Sequence, residues 1–273
     1  MKAAIPGTLI IAIVAALAVE SPRAQTGPDR ATVVRAAADA LGMARWSDIG
    51  TTTTRLPGID IVNTMEFRGG EYHVTLGYNP PAMRVEMTRT GPDGRAAQHT
   101  IQTVRDSYAW DESETGAGLV PGKGTATPAI AAVKERLLQL WTLPYGVVKA
   151  ALAAGDKTTV STEGGATVMT FPLSGQLAGI TVKATLDSNN LVTRVETRSD
   201  NPALANLATQ TEYSNYADRA EVLTDIKSPG RIVRRQGGRT ILDIEVKAWE
   251  TNNPYLVFPV PANVKSAAPA NSR

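Results

Sequence analysis

Cysteine is absent from this chain. That one gap removes disulfides, thiol nucleophiles, cysteine-ligated zinc and iron–sulfur clusters together. It also removes the acylated cysteine on which a bacterial lipoprotein signal depends. Histidine is nearly as scarce: His73 and His99 are the only two in 273 residues. They fall on separate predicted strands, and nothing in their spacing builds a metal site. Neither sign of charge dominates. With 28 basic and 26 acidic residues the net charge is +2, and no long Lys/Arg run breaks the balance, so no field is available to hold nucleic acid. Serines lack a G-x-S-x-G elbow. Pro121-Gly122-Lys123-Gly124 lacks a Walker pattern around it and reads as a loop.

Long hydrophobic runs are also missing, with one exception at the N-terminus. Lys2 is followed by an apolar run from Ala3 to Val19, and Ala16-Leu17-Ala18 supplies a small-residue exit. A positive start, a short apolar core and small residues make a secretory signal peptide. The run is short for a span of about 20 residues and contains Pro6 and Gly7. The expected product is periplasmic or secreted, with no stable membrane span after signal cleavage. The expected organisation is a signal peptide at 1–24, one antiparallel β-sheet plus helix domain at 25–262, and a flexible tail at 263–273.

In the mature chain, Asp29 is placed to cap a helix from Arg30 to Leu41, with Gly42 as its stop. Strand texture follows. Ile49–Leu56 is rich in threonine. Glu71–Tyr78, Met83–Arg89 and His99–Val104 alternate apolar and polar residues, and Ser107–Trp110 adds a short strand. This is the pattern of an antiparallel sheet with one wet face. Residues 112–127 read as a loop. Thr127 is then a good N-cap and Pro128 suits the first helical position. Ile130, Val133, Leu137, Leu138, Leu140 and Trp141 form an apolar stripe, Pro144 interrupts it, and Val147–Ala153 resumes as a second helix. Beyond it, Thr158–Thr162 and Ala166–Leu173 flank Gly164-Gly165. Ile180–Leu186 and Leu191–Thr197 flank Asp187–Asn190. Ala208–Tyr216 is a further strand, and Arg231–Arg235 and Thr240–Trp249 flank Gly237-Gly238. Strands on both sides of one apolar helix predict an α+β fold: a curved, half-barrel-like antiparallel sheet wrapped around a central broken helix.

The chemistry-bearing residues are few. Asp111, Glu112 and Glu114 cluster beside Trp110, at the edge of the Gly-rich loop, and read as a solvated turn or as a carboxylate pair. Asp243 and Glu245 share one strand face. Tyr108, Trp110, Leu138, Trp141, Tyr145 and Phe171 are the candidates for an apolar cleft between helix and sheet, or for its filled core. The expected role is a non-catalytic binding or accessory domain, with an apolar small molecule or a partner protein as occupant. The alternative is a hydrolase, or an accessory to one. No cofactor or metal is expected.

Arg136-Leu137-Leu138-Gln139-Leu140-Trp141-Thr142-Leu143-Pro144-Tyr145-Gly146-Val147-Val148-Lys149-Ala150-Ala151-Leu152 resembles the central helix of the accessory domain that precedes the catalytic part of some bacterial metallo-β-lactamase-fold hydrolases. Glu212–Tyr216 is similar to its later strand. Arg231–Gly238 with Leu242-Asp243 is similar to its last hairpin. The H-x-H-x-D-H zinc motif of those hydrolases is missing, so the resemblance does not carry zinc hydrolysis. The expected sheet-around-helix shape also resembles periplasmic lipoprotein carriers, on architecture alone.

Overall fold

The computed structural model describes residues 29–43, 64–69, 71–89, 98–199, 208–218, 226–251 and 257–268. The signal-peptide segment and the strand expected at 49–56 lie outside the described residues. The fold is α+β, built from two open seven-stranded antiparallel sheets and a helix broken at its centre.

The first sheet is a meander of β1 (Thr64–Gly69), β2 (Tyr72–Tyr78), β3 (Pro81–Arg89), β4 (Gln98–Arg105), β5 (Tyr108–Glu112) and β6 (Ala126–Pro128). The second runs through β7 (Thr159–Glu163), β8 (Ala166–Pro172), β9 (Ile180–Leu186), β10 (Val192–Ser199) and β11 (Thr209–Ser214). A two-stranded ribbon of β12 (Ala217–Asp218) and β13 (Lys227–Ser228) follows. The second sheet is then completed by β14 (Arg231–Gln236) and β15 (Arg239–Glu245). After Val246-Lys247 the chain returns to the first sheet, where β16 (Ala248–Thr251) pairs with β1.

Turn chemistry accounts for the hairpins. Gly164-Gly165 and Gly237-Gly238 all have positive φ, which tight two-residue turns demand and glycine accepts without a Cβ clash. The Asp187 carboxylate accepts from the Asn189 and Leu191 amides at 2.8 and 2.9 Å. The strands alternate as a half-buried sheet requires: in β9, Ile180, Val182, Ala184 and Leu186 are buried and the residues between them are half-buried.

Between β6 and β7 the chain crosses from one sheet to the other through α2 (Val133–Trp141) and α3 (Pro144–Ala154). Pro144 lacks an amide hydrogen and disfavours helical backbone at the residue before it. Leu143 is accordingly extended, with φ −66° and ψ 150°, and the two helical pieces meet at 95°. Gly146 sits inside this elbow, where a Cβ would lie 2.6 Å from the Leu140 carbonyl oxygen. Val133, Leu137, Leu138 and Leu140 of the stripe are buried. Each such side chain contributes about 1.5–3 kcal/mol on full burial. Among the described residues no single helix is long and apolar enough to cross a membrane.

Helix α1 (Arg30–Ala40) packs Val33, Val34, Ala37 and Ala38 into the same core, and Asp29 caps it by accepting from the Thr32 amide at 3.0 Å. Two segments depart from the local reading. Thr127 and Pro128 do not start the helix: they lie on edge strand β6, held by pairing to β5, and a 3₁₀ turn at Ile130–Ala132 leads into α2. In the segment expected as a tail, Ala262–Ala267 forms a short helix, α4. Its Val264 is fully buried in a small cluster with Trp110 and Ala126, and apolar burial outweighs local polarity there.

Candidate functional site

Several concave sites border the elbow, and two of them flank α2. The larger is a cavity of about 600 Å³. Leu137 and Trp141 of α2 and Ala150, Ala153 and Ala154 of α3 form one wall. Pro172, Leu173 and the turn Ser174–Leu177 form another. Pro81 at the start of β3, with Asp106 and Ser107 of the turn between β4 and β5, closes a third side. The space exists because α3 presents alanines where larger side chains would fill it. Gly175 and Gly179, at φ 60° and 89°, let the segment between β8 and β9 fold across α2. Polar groups sit around the apolar walls: Asp106, Lys157 and Gln176 are all exposed. Ser107 and Ser174 line the cavity without an accompanying histidine.

Of the residues marked in the sequence, Trp141 lines this cavity and is half-buried, its ring centroid 5.5 Å from that of Tyr78. The others are placed elsewhere. Tyr145 is fully buried, with its ring centroid 5.9 Å from Trp249 and its hydroxyl donating to the Lys227 carbonyl at 2.6 Å. Phe171 is in the main core. Trp110 is in the small cluster under α4, with Tyr108 packed against it. Leu138 faces the opposite side of α2. The six do not line a common cavity. The residues that complete the large cavity come from turns, and tertiary approach rather than any sequence pattern brings them there.

Both sheets grip the end of α2. The Tyr78 hydroxyl, from β2, donates to the Leu140 carbonyl at 3.3 Å, and the Tyr213 hydroxyl, from β11, donates to the Thr142 carbonyl at 2.6 Å. Thr142 bonds back to the Leu138 carbonyl at 2.7 Å. The Leu138 and Leu140 carbonyls also accept from the Thr142 and Leu143 amides at 3.0 and 3.3 Å, whereas the Thr142 carbonyl, past the last helical turn, takes its donor from Tyr213. Burial disfavours the phenolate and pushes the hydroxyls of Tyr72, Tyr78, Tyr145, Tyr213 and Tyr216 up from their ordinary value of 10.

The acidic cluster is divided among separate tasks. Asp111 pairs with buried Arg136 at 2.5 Å, and Arg136 also donates to the Thr103 and Trp110 carbonyls. Glu112 is buried and accepts from Trp110 Nε1 at 2.9 Å, Thr103 Oγ1 at 2.8 Å and the Gly116 amide at 2.6 Å. It organises the loop instead of facing a cavity. Glu114 is exposed. Asp243 pairs with Arg231 at 3.0 Å on the wet face, and that bond holds its carboxyl below the ordinary range. His99 lies 3.5 Å from Glu86, while His73 is on β2, with β3 between them. Among the described residues no group of three or more His, Asp or Glu side chains is arranged to hold a metal ion.

The smaller site, of about 40 Å³, lies across α2 from the cavity. Glu135, Leu138, Gln139 and Thr142 of α2 face Thr209, Arg234, Gln236 and Ile241 of the second sheet there. Arg234 is only 9% exposed. Arg234 was not singled out in the sequence, although period two puts it on the same strand face as Ile232, which is buried. No known protein-family model matches the chain, and no curated protein matches it.

Proposed function

We propose that the mature chain is a non-catalytic, extracytoplasmic binding domain that takes an apolar small molecule beside the helix elbow. The observation that carries this reading is the cavity of about 600 Å³, walled by Leu137, Trp141, Ala150, Leu173 and Leu177. Its size is that of small-molecule sites, which run from about 300 to 1,000 Å³ and combine apolar walls with a few polar groups. Export rests on Lys2 and the apolar run from Ala3 to Val19. Binding is favoured over hydrolysis because Asp111 and Glu112 of the acidic cluster stand outside the lining, engaged by Arg136, Trp110 and the loop at Gly116.

The test is mass spectrometry of organic extracts from natively purified mature protein, paired with titration of the fluorescent apolar probe N-phenyl-1-naphthylamine. The expected results are a copurified apolar molecule and saturable probe binding that Ala153→Phe abolishes. Ala153 is exposed on the cavity wall, so the added ring fills the site without disturbing the core. Extracts free of any such molecule, or probe binding that Ala153→Phe leaves intact, would reject the reading.

A partner-protein role, as an accessory to a metallo-β-lactamase-fold hydrolase, draws support from the resemblance of residues 136–152, the same stretch that forms the elbow. Its test is whether adding this protein changes the turnover of such a hydrolase encoded beside it.

A further inference from the structure

Arg234 faces the core from β14, opposite α2, and is 9% exposed. A guanidinium carries five donors and keeps its charge at any ordinary pH. Burying such a charge without a partner is strongly unfavourable, so buried arginines are paired. The other buried charged side chains among the described residues obey that rule: Arg136 bonds Asp111 and two carbonyls, and Glu112 has four donors around it. The Arg234 side chain has no ion pair or hydrogen bond among the described residues, its nitrogens retain solvent contact, and the residue lines the small site. Glu135 lines the same site but is exposed and forms no ion pair with it.

From this we infer that Arg234 anchors a binding site for the carboxylate of an aliphatic acid, separate from the cavity on the other side of α2. Geometry selects the chemistry. A site of about 40 Å³ takes only a small head group, since about 10–15 Å³ of such space holds one water. The planar guanidinium fork matches a carboxylate with two parallel hydrogen bonds. Gln139, Thr142, Thr209 and Gln236 supply polar neighbours. Glu135 at the site opposes a second negative charge, favouring a monoacid. Ile241, 45% exposed at the lining, and Leu138 offer apolar surface to the acid's body.

The experiment follows the arginine Nε–Hε resonances of the mature protein by NMR at constant ionic strength. The Arg234 signal is assigned by its loss in Arg234→Lys. Sodium octanoate is expected to shift that signal saturably, with acetate acting more weakly at the same signal and n-octanol leaving it unmoved. Calorimetric titration of Arg234→Lys is expected to show octanoate bound at least tenfold more weakly, about 1.4 kcal/mol. Ala153→Phe, which fills the larger cavity, is expected to leave the Arg234 response unchanged, so this site and the proposed apolar cavity fail independently. The inference is overturned if octanoate does not move the Arg234 signal, if phosphate moves it as strongly as octanoate, or if Arg234→Lys binds octanoate undiminished.

Discussion

The elbow offers the sharpest test of how this chain is held together, through Gly146→Ala. In an ordinary helix this exchange removes unfolded-chain entropy and stabilises by about 0.4–1 kcal/mol. Here the new methyl would stand 2.6 Å from the Leu140 carbonyl oxygen, 2.9 Å from Trp141 Cα and 3.1 Å from the Trp141 carbonyl carbon. All three are backbone atoms of the preceding helix, so no side chain can swing aside. Relief requires α3 to move off α2 until 2.6 Å becomes at least 3.4 Å, an ordinary contact. Both helices are clamped by buried side chains, and the end of α2 is tied to both sheets. Overpacking of this kind costs about 1–3 kcal/mol. Set against the entropic gain, a net loss of about 1–2 kcal/mol is expected. At roughly 2–4 °C per kcal/mol for a domain of this size, Tm drops by about 2–8 °C. Urea unfolding followed by circular dichroism, with the slope checked for constancy, measures it. A variant as stable as the parent, or more stable, would show that the elbow is looser than its geometry states.

Three further outcomes follow from the same packing. Tyr213→Phe leaves the Thr142 carbonyl without its 2.6 Å donor and is expected to cost about 1–3 kcal/mol in urea unfolding. Tyr78→Phe, whose bond is longer at 3.3 Å, is expected to cost less. Burial raises five of the seven tyrosines above 10. Because the folded state holds these protons more tightly, the associated stability is fully present below pH 10 and is lost as pH rises beyond it. Phenolate absorbance at 295 nm from these residues should therefore appear together with loss of far-ultraviolet dichroism, and not before it. Val264→Asp places a charge in the apolar cluster with Trp110 and Ala126. It is expected to detach α4 and shift tryptophan emission to the red, at a cost of at least about 1.5 kcal/mol.

Much of this architecture is legible from local pattern. Period-two alternation and the paired glycines mark β7–β8 and β14–β15, and Asp187–Asn190 marks the turn between β9 and β10, because turn conformation is a property of the residues in the turn. The elbow is legible too: Pro144 after Leu143 leaves the helix no way to continue straight. The return of β16 to pair with β1 is not legible, since that pairing joins residues far apart in sequence and depends on the whole second sheet being in place. β6 is missed for a related reason: Thr127 and Pro128 carry strong helix-start signals, and their pairing with Asp111 and Trp110 overrides them. In the large cavity Trp141 stands out as the end of the apolar stripe, whereas Asp106, Ser107 and Gly175 belong to turns that reach it only through folding. Arg234 is hidden by its company in Arg234-Arg235, where one neighbour is buried and the next pairs with Glu212 at 2.7 Å.

Because Tyr78 and Tyr213 come from different sheets and fasten to the same helix end, that end works as a keystone. The two β-surfaces cannot spread without releasing a carbonyl into an apolar interior.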